Sequence, residues 1–129
     1  MFTYKRLVPG SEIGRDIISV TQQDLDGWTA MYGVADRGLG KVPAGLVAAI
    51  GMRAYLGIVT PRPAGNIHAK QSYRLWRCPR LEEEILVSVV CSGTESRKER
   101  LVVTMETLMS TVDGDRPIFS SVSTMFWAR

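Results

Sequence analysis

The chain has 129 residues, 45% hydrophobic and 22% charged; these are globular values that exclude a disordered or low-complexity segment, and the length suffices to bury roughly two-thirds of the unfolded surface in one core. Sixteen Lys and Arg against thirteen Asp and Glu leave a net charge of +3, shared almost evenly between the halves, and without a dense basic stripe interleaved with aromatics this argues against nucleic acid as a partner. Two cysteines in neither metal-type nor redox-type spacing and a single histidine argue against a zinc site, and no metal or cofactor is expected.

The expectation is one domain over residues 1–129. Met1 to Gly10 lacks the apolar run of a signal peptide. The longest apolar segment, Val42 to Val59, is broken by Gly45, Gly51, Arg53 and Gly57. A reducing cytoplasmic setting with no membrane span follows as the expectation.

In chain order, residues 2–8 predict a short strand, which Pro9-Gly10 turns toward Ile13-Gly14. Thr21 can cap a helix whose first turn holds Asp24, where a negative charge suits the helix dipole. Leu25, Trp28, Met31 and Tyr32 then form one stripe, as expected of core packing over about three turns. Gly33 to Lys41 reads as a loop. Pro43 suits a first helical position, where its missing amide costs nothing. From Ala44 to about Gly57 the sequence is apolar on nearly every side, which predicts that this helix, roughly residues 43–57, is the most buried element.

The second half changes period. Ile67, Ala69, Tyr73 and Leu75 alternate with His68, Lys70, Ser72, Arg74 and Trp76, as in a strand with its first set facing the core. Ile85 to Cys91 is a nearly continuous apolar strand. Leu101 to Met109 alternates along a third, and Ile118 to Trp127 makes a fourth. Gly93 to Arg100 and Val112 to Asp115 read as turns. The order predicts an α+β fold with an antiparallel sheet.

Several segments resemble one family: Thr21 and Asp24 at the first helix, Val42-Pro43-Ala44-Gly45-Leu46 opening the second, Gly65-Asn66-Ile67-His68-Ala69-Lys70-Gln71-Ser72-Tyr73 after it, and Pro79. Together they cover most of the chain and resemble the MaoC-like dehydratase and enoyl-CoA hydratase group of the hotdog fold. The resemblance implies a single hotdog domain, its antiparallel sheet wrapped around a long central apolar helix. It implies domains that work in pairs and bind an acyl-CoA or acyl-carrier-protein thioester along their interface. The partner would be a second copy or a catalytic MaoC-like subunit.

One departure bears on activity. Catalytic members of the group carry an Asp and a His a few residues apart in the loop before the central helix, where they activate water. Here Gly33 to Lys41 holds Asp36 but no histidine, and the single histidine, His68, follows the helix. Any catalytic role therefore falls to His68 or Asp36. Asn66, Gln71, Arg53, Lys70 and Arg74 are candidate substrate contacts. Arg53 pairs with an acid or meets a phosphate or carboxylate, and Lys70 and Arg74, read as sharing a strand face with His68, form a solvated face or suit a nucleotide phosphate. No serine stands in a nucleophile-elbow context. Three readings stay open: an acyl-thioester-binding subunit without its own hydratase dyad, an active hydratase, dehydratase or thioesterase using a relocated group, and a structural dimerisation module.

Overall fold

The computed structural model describes residues 1–33 and 42–129. A 3-10 turn at Tyr4–Arg6 leads to β1 (Ser11–Ile18), α1 (Gln22–Tyr32) and α2 (Ala44–Ile58). Four strands follow: β2 (Ile67–Leu75), β3 (Ile85–Ser96), β4 (Leu101–Ser110) and β5 (Pro117–Trp127). They form one antiparallel five-stranded sheet in the order β1-β3-β4-β5-β2. The hairpins β3-β4 and β4-β5 make its centre, and β2, which precedes them in the chain, takes the far edge beside β5.

Alternation in the central strands decides where the core lies. Val87 and Val89 of β3, Met105 and Met109 of β4, and Phe119 and Met125 of β5 are buried on one side of the sheet. Against that side lies α2. Leu46, Val47 and Ile50 join Ile85, Val87, Met109 and Phe119 in one cluster. Tyr55 near the helix C-terminus joins Val89, Cys91, Val103, Met105, Met125 and Trp127 in a second. Each fully buried aliphatic side chain contributes about 1.5–3 kcal/mol relative to exposure. The approach is close at Gly51, where a Cβ would stand 3.1 Å from Phe119 Cε1 and 3.2 Å from Met109 Cε. Glycine there lets the backbone seat on the sheet.

The expectation that α2 is buried all round is corrected. Its outer face, including Ala49, Arg53 and Leu56, is exposed in the chain, and the central strands are buried more completely. Apolar composition on every side selects burial only where something covers every side, and one sheet covers one face. Pro43 stands at the N-cap rather than inside the helix.

The first helix is held by polar anchors more than by the core. Thr21 and Asp24 form a capping box: the Asp24 amide donates to Thr21 Oγ1 at 3.1 Å and the Thr21 amide to Asp24 Oδ2 at 3.0 Å. From sixty residues away the Glu82 carboxylate accepts from the Gln22 amide at 3.1 Å, a negative charge at the positive end of the helix dipole. Trp28 lies across Gly45 of α2, where a Cβ would come within 2.6 Å of the indole. The predicted core stripe holds only in its first half. Leu25 and Trp28 pack against the core, while Met31 and Tyr32 are 74% and 64% exposed, so the last turn of α1 lies off the core.

Two further expectations are revised. Residues 2–8 are not a strand. They carry the 3-10 turn and are pinned by Trp127 Nε1, which donates to the Phe2 carbonyl at 2.9 Å, and by the Phe2 amide, which donates to the Pro61 carbonyl at 2.8 Å. The first strand is β1, whose alternation is obscured by a bulge between Glu12 and Gly14. A second bulge, between Cys91 and Gly93, hides the continuation of β3 to Ser96, so the β3-β4 turn is shorter than Gly93 to Arg100. No described helix is long and apolar enough to cross a membrane.

Replacing Ile50, which faces the sheet, by Ala is expected to lower stability in urea unfolding by about 2–5 kcal/mol through lost transfer energy and a residual cavity. Leu56→Ala on the outer face is expected to cost under about 1 kcal/mol in the isolated chain. Equal costs would show that α2 seats differently.

Candidate functional site

Strand β2 pairs on one side only, with β5. All of its residues but Gln71 are exposed. Ile67 and Tyr73 are 56% and 57% exposed and Leu75 and Trp76 are also open. None of the predicted core-facing set on this strand is buried, because the helix packs over β1, β3, β4 and β5 and β2 lies beyond it. The result is a free edge carrying the open apolar side chains Ile67, Tyr73 and Leu75.

A bulge decides which side chains look toward α2. His68 stands opposite Met125, but Lys70 stands opposite Thr124, so Ala69 is the extra residue. Met125 is buried on the helix side and its neighbour Thr124 points the other way. Resuming from Lys70, Gln71 stands opposite Ser123, Tyr73 opposite Ser121 and Leu75 opposite Phe119. His68, Gln71, Tyr73 and Leu75 therefore face the helix side, and Lys70, Ser72 and Arg74 the outer side. The shared face expected for His68, Lys70 and Arg74 is corrected: simple alternation fails across one inserted residue.

Gln71 is anchored rather than solvated. Ser123 Oγ donates to Gln71 Oε1 at 2.7 Å, while Gln71 Nε2 is shielded from solvent and has no hydrogen-bond partner. Asn66 extends the β2-β5 ladder by accepting from the Ala128 amide at 2.8 Å through Oδ1, and its Nδ2 is likewise shielded and unpartnered. Under the same seam the buried Tyr55 hydroxyl donates to Met125 Sδ at 3.4 Å. Burial disfavours the phenolate and pushes Tyr55 up to about 12. Ser123 and Tyr55 escaped the sequence reading; their signal lies in the register, which one chain's alternation does not reveal.

The remaining candidates separate. Arg53 grips Asp24 with both nitrogens, Nη1 to Oδ1 at 2.9 Å and Nη2 to Oδ2 at 3.2 Å. That fork ties α2 to the start of α1 and gives Arg53 an acid partner. Arg74 stacks on Trp76, 4.5 Å from the ring centroid, at the rim of a groove of about 310 Å³ on the outer side, lined by Trp76, Val90, Glu106 and Leu108 among others. Lys70 is exposed on that outer side. His68 is exposed on the helix side, and Asp36 lies outside the described residues. The structure thus brings His68 and Gln71 together on one face and sends Arg53, Lys70 and Arg74 elsewhere.

No protein-family profile matches the sequence and no curated protein matches it. Solved structures do match the shape. A MaoC-like dehydratase from Rhodospirillum rubrum superposes with a TM-score of 0.80 at 16% identity, over 100% of this chain and 99% of that one. The R-hydratase PhaJ1 from Pseudomonas aeruginosa gives 0.74 at 18% identity over 98% and 86%. The C-terminally truncated HadBC (3R-hydroxyacyl-ACP dehydratase) complex from Mycobacterium tuberculosis gives 0.71 at 13% identity over 92% and 96%. The chain has the hotdog fold that these structures share.

The Asp24–Arg53 fork gives a pH signature. The Arg53 hydrogen bonds hold Asp24 down at about 2, below its ordinary 3.8. A depressed carboxylate contributes stability that is complete above the unfolded value and lost as pH falls through the folded one. Because Arg53 is largely exposed, Asp24→Asn is expected to cost about 0.5–1 kcal/mol at neutral pH. In thermal unfolding that difference should shrink between pH 4 and pH 2, where the wild-type carboxylate itself protonates. A difference that persists unchanged to pH 2 would assign it to capping geometry instead.

Proposed function

We propose that this chain is an acyl-thioester-binding subunit that works as a pair of hotdog folds. It takes an acyl-CoA or acyl-carrier-protein thioester into the seam between α2 and the helix-facing side of β2. The observation that carries this reading is the unpaired β2 edge, exposed almost throughout and carrying the open apolar side chains Ile67, Tyr73 and Leu75. Unpaired strand edges template pairing with another chain, and an apolar helix face gains by being covered. A stable pair would bury on the order of 1,600 Å². The partner is a second copy or a catalytic MaoC-like subunit, and the HadBC complex among the solved structures supports assembly as a subunit.

On this reading Gln71 and Asn66 contact the substrate from the seam side and its rim, while Lys70 and Arg74 offer positive charge on the outer side of the same strand. Arg53 holds the helices and leaves the substrate alone. The chain carries no hydratase dyad of its own, since its single histidine sits on β2 and not beside Asp36 in the sequence. One group without a cooperating acid or base forfeits assistance commonly worth 10²–10⁴-fold. The helix-side placement of His68 favours a second reading, an active hydratase with His68 as the base.

The test is calorimetry and turnover on the purified chain. Crotonyl-CoA is expected to bind, with hydration no faster than background, and light scattering is expected to give twice the chain mass. Ile67→Lys with Tyr73→Lys, which charges the edge, should return a folded monomer. Hydration abolished by His68→Gln would establish the second reading. No binding of any acyl-CoA or acyl-carrier protein by the chain, alone or with a catalytic partner, would leave a structural dimerisation module.

A further inference from the structure

On the helix-facing side of the sheet the apolar surface is interrupted at one place. Thr107, Ser121 and Ser123 are all buried there, at 1%, 6% and 2% exposure. Thr107 and Ser121 stand in one register row with Tyr73, and Ser123 stands in the next with Gln71. The strip runs from β4 toward the edge strand and ends at the Gln71 amide. Oε1 is taken by Ser123, so Nε2 is the free end, a donor with two hydrogens, hidden from water and facing no acceptor. Native proteins leave few such groups, and a buried donor without a partner costs about 1–3 kcal/mol.

Resting on the thioester reading above, we infer that Gln71 Nε2 donates to an oxygen on the acyl chain itself, so that the seam selects oxygenated acyl groups over plain hydrocarbon ones. Depth chooses the acyl chain over the thioester carbonyl. The carrier arm is long and polar and stays toward the solvent mouth, whereas Nε2 is shut off from solvent and only the inserted end of the ligand reaches it. Entry displaces His68 and Tyr73, the exposed neighbours of Gln71 on that face. The bulge at Ala69 makes His68 and Gln71 successive on this side, and without it Gln71 would point outward. A hydrocarbon tail would leave Nε2 unpaired and press methylenes on the hydroxyls. A hydroxyl or keto oxygen supplies the missing acceptor, and a site built to hydrogen-bond a ligand rejects the analogue that lacks the atom.

The experiment compares butyryl-CoA, 3-hydroxybutyryl-CoA and acetoacetyl-CoA by calorimetry on the full chain in its native assembly. The wild type is expected to bind both oxygenated thioesters about 5- to 100-fold more tightly than butyryl-CoA. Gln71→Leu should weaken those two by far more than it changes butyryl-CoA, erasing the preference. Gln71→Glu should penalise acetoacetyl-CoA more than 3-hydroxybutyryl-CoA, because a keto oxygen only accepts whereas a hydroxyl can donate to the carboxylate. Ser123→Ala, which frees Oε1, should narrow the preference, and unchanged thermal midpoints confirm folding. Equal wild-type affinities would overturn the inference. So would equal weakening of all three by Gln71→Leu, which places Nε2 on the thioester carbonyl. If none of the three binds, the thioester reading fails and this inference falls with it.

Discussion

The seating of α2 on the sheet is the contact on which the rest depends. Gly51 brings the helix backbone against Phe119 and Met109, which aligns Val47 and Ile50 on one side and Tyr55 on the other with the inner rows of β3, β4 and β5. A helix is about 10 Å across with its side chains, about two strand spacings, so one helix cannot cover five strands. Seated toward the β1 side, α2 touches β1, β3, β4 and β5 and leaves β2 uncovered, and the free edge and the exposed outer face of the helix follow from that mismatch in width.

Within that frame small irregularities do the aiming. Bulges occur in β1, β2 and β3, and each swaps the faces of the residues beyond it. In β3 and β1 the result is a change of twist near the strand ends. In β2 it sorts the chemistry: basic Lys70 and Arg74 go outward, while His68, Gln71 and Tyr73 go toward the helix. Bulges gather beside functional sites because they re-aim a side chain without breaking the ladder. The two shielded amides without partners lie within this strand, on Gln71, and immediately before it, on Asn66. The unpartnered buried side-chain polarity among the described residues is thus concentrated at the edge strand.

Polar anchors complete the arrangement where apolar burial is thin. No residue of α1 is fully buried, so its position rests on the capping box, the Glu82 carboxylate at its N-terminus and the Asp24–Arg53 fork. Arg53, a charge inside an apolar helix, is thereby accounted for without a ligand. The same side chain read in sequence favoured an acid partner and left a phosphate or carboxylate as the alternative; the partner is an acid twenty-nine residues earlier that folding brings to 2.9 Å.

The sequence by itself determined the elements whose signals are local or periodic. The Thr21–Asp24 box, Pro43 before α2, the apolar run of β3 and the alternation of β4 each follow from a few neighbouring residues, and Thr21, Asp24, Val42 to Leu46, Gly65 to Tyr73 and Pro79 carried the resemblance to the hotdog fold. What only the tertiary structure decided is which strand is an edge, which face each β2 side chain takes, that residues 11–18 rather than 2–8 form the first strand, and that α2 is covered on one side. Alternation predicts faces only while every residue counts once, and a bulge adds a residue that no local signal marks. Burial depends on what lies opposite. The pairing of Gln71 with Ser123, fifty-two residues apart, exists only after five strands have chosen their order.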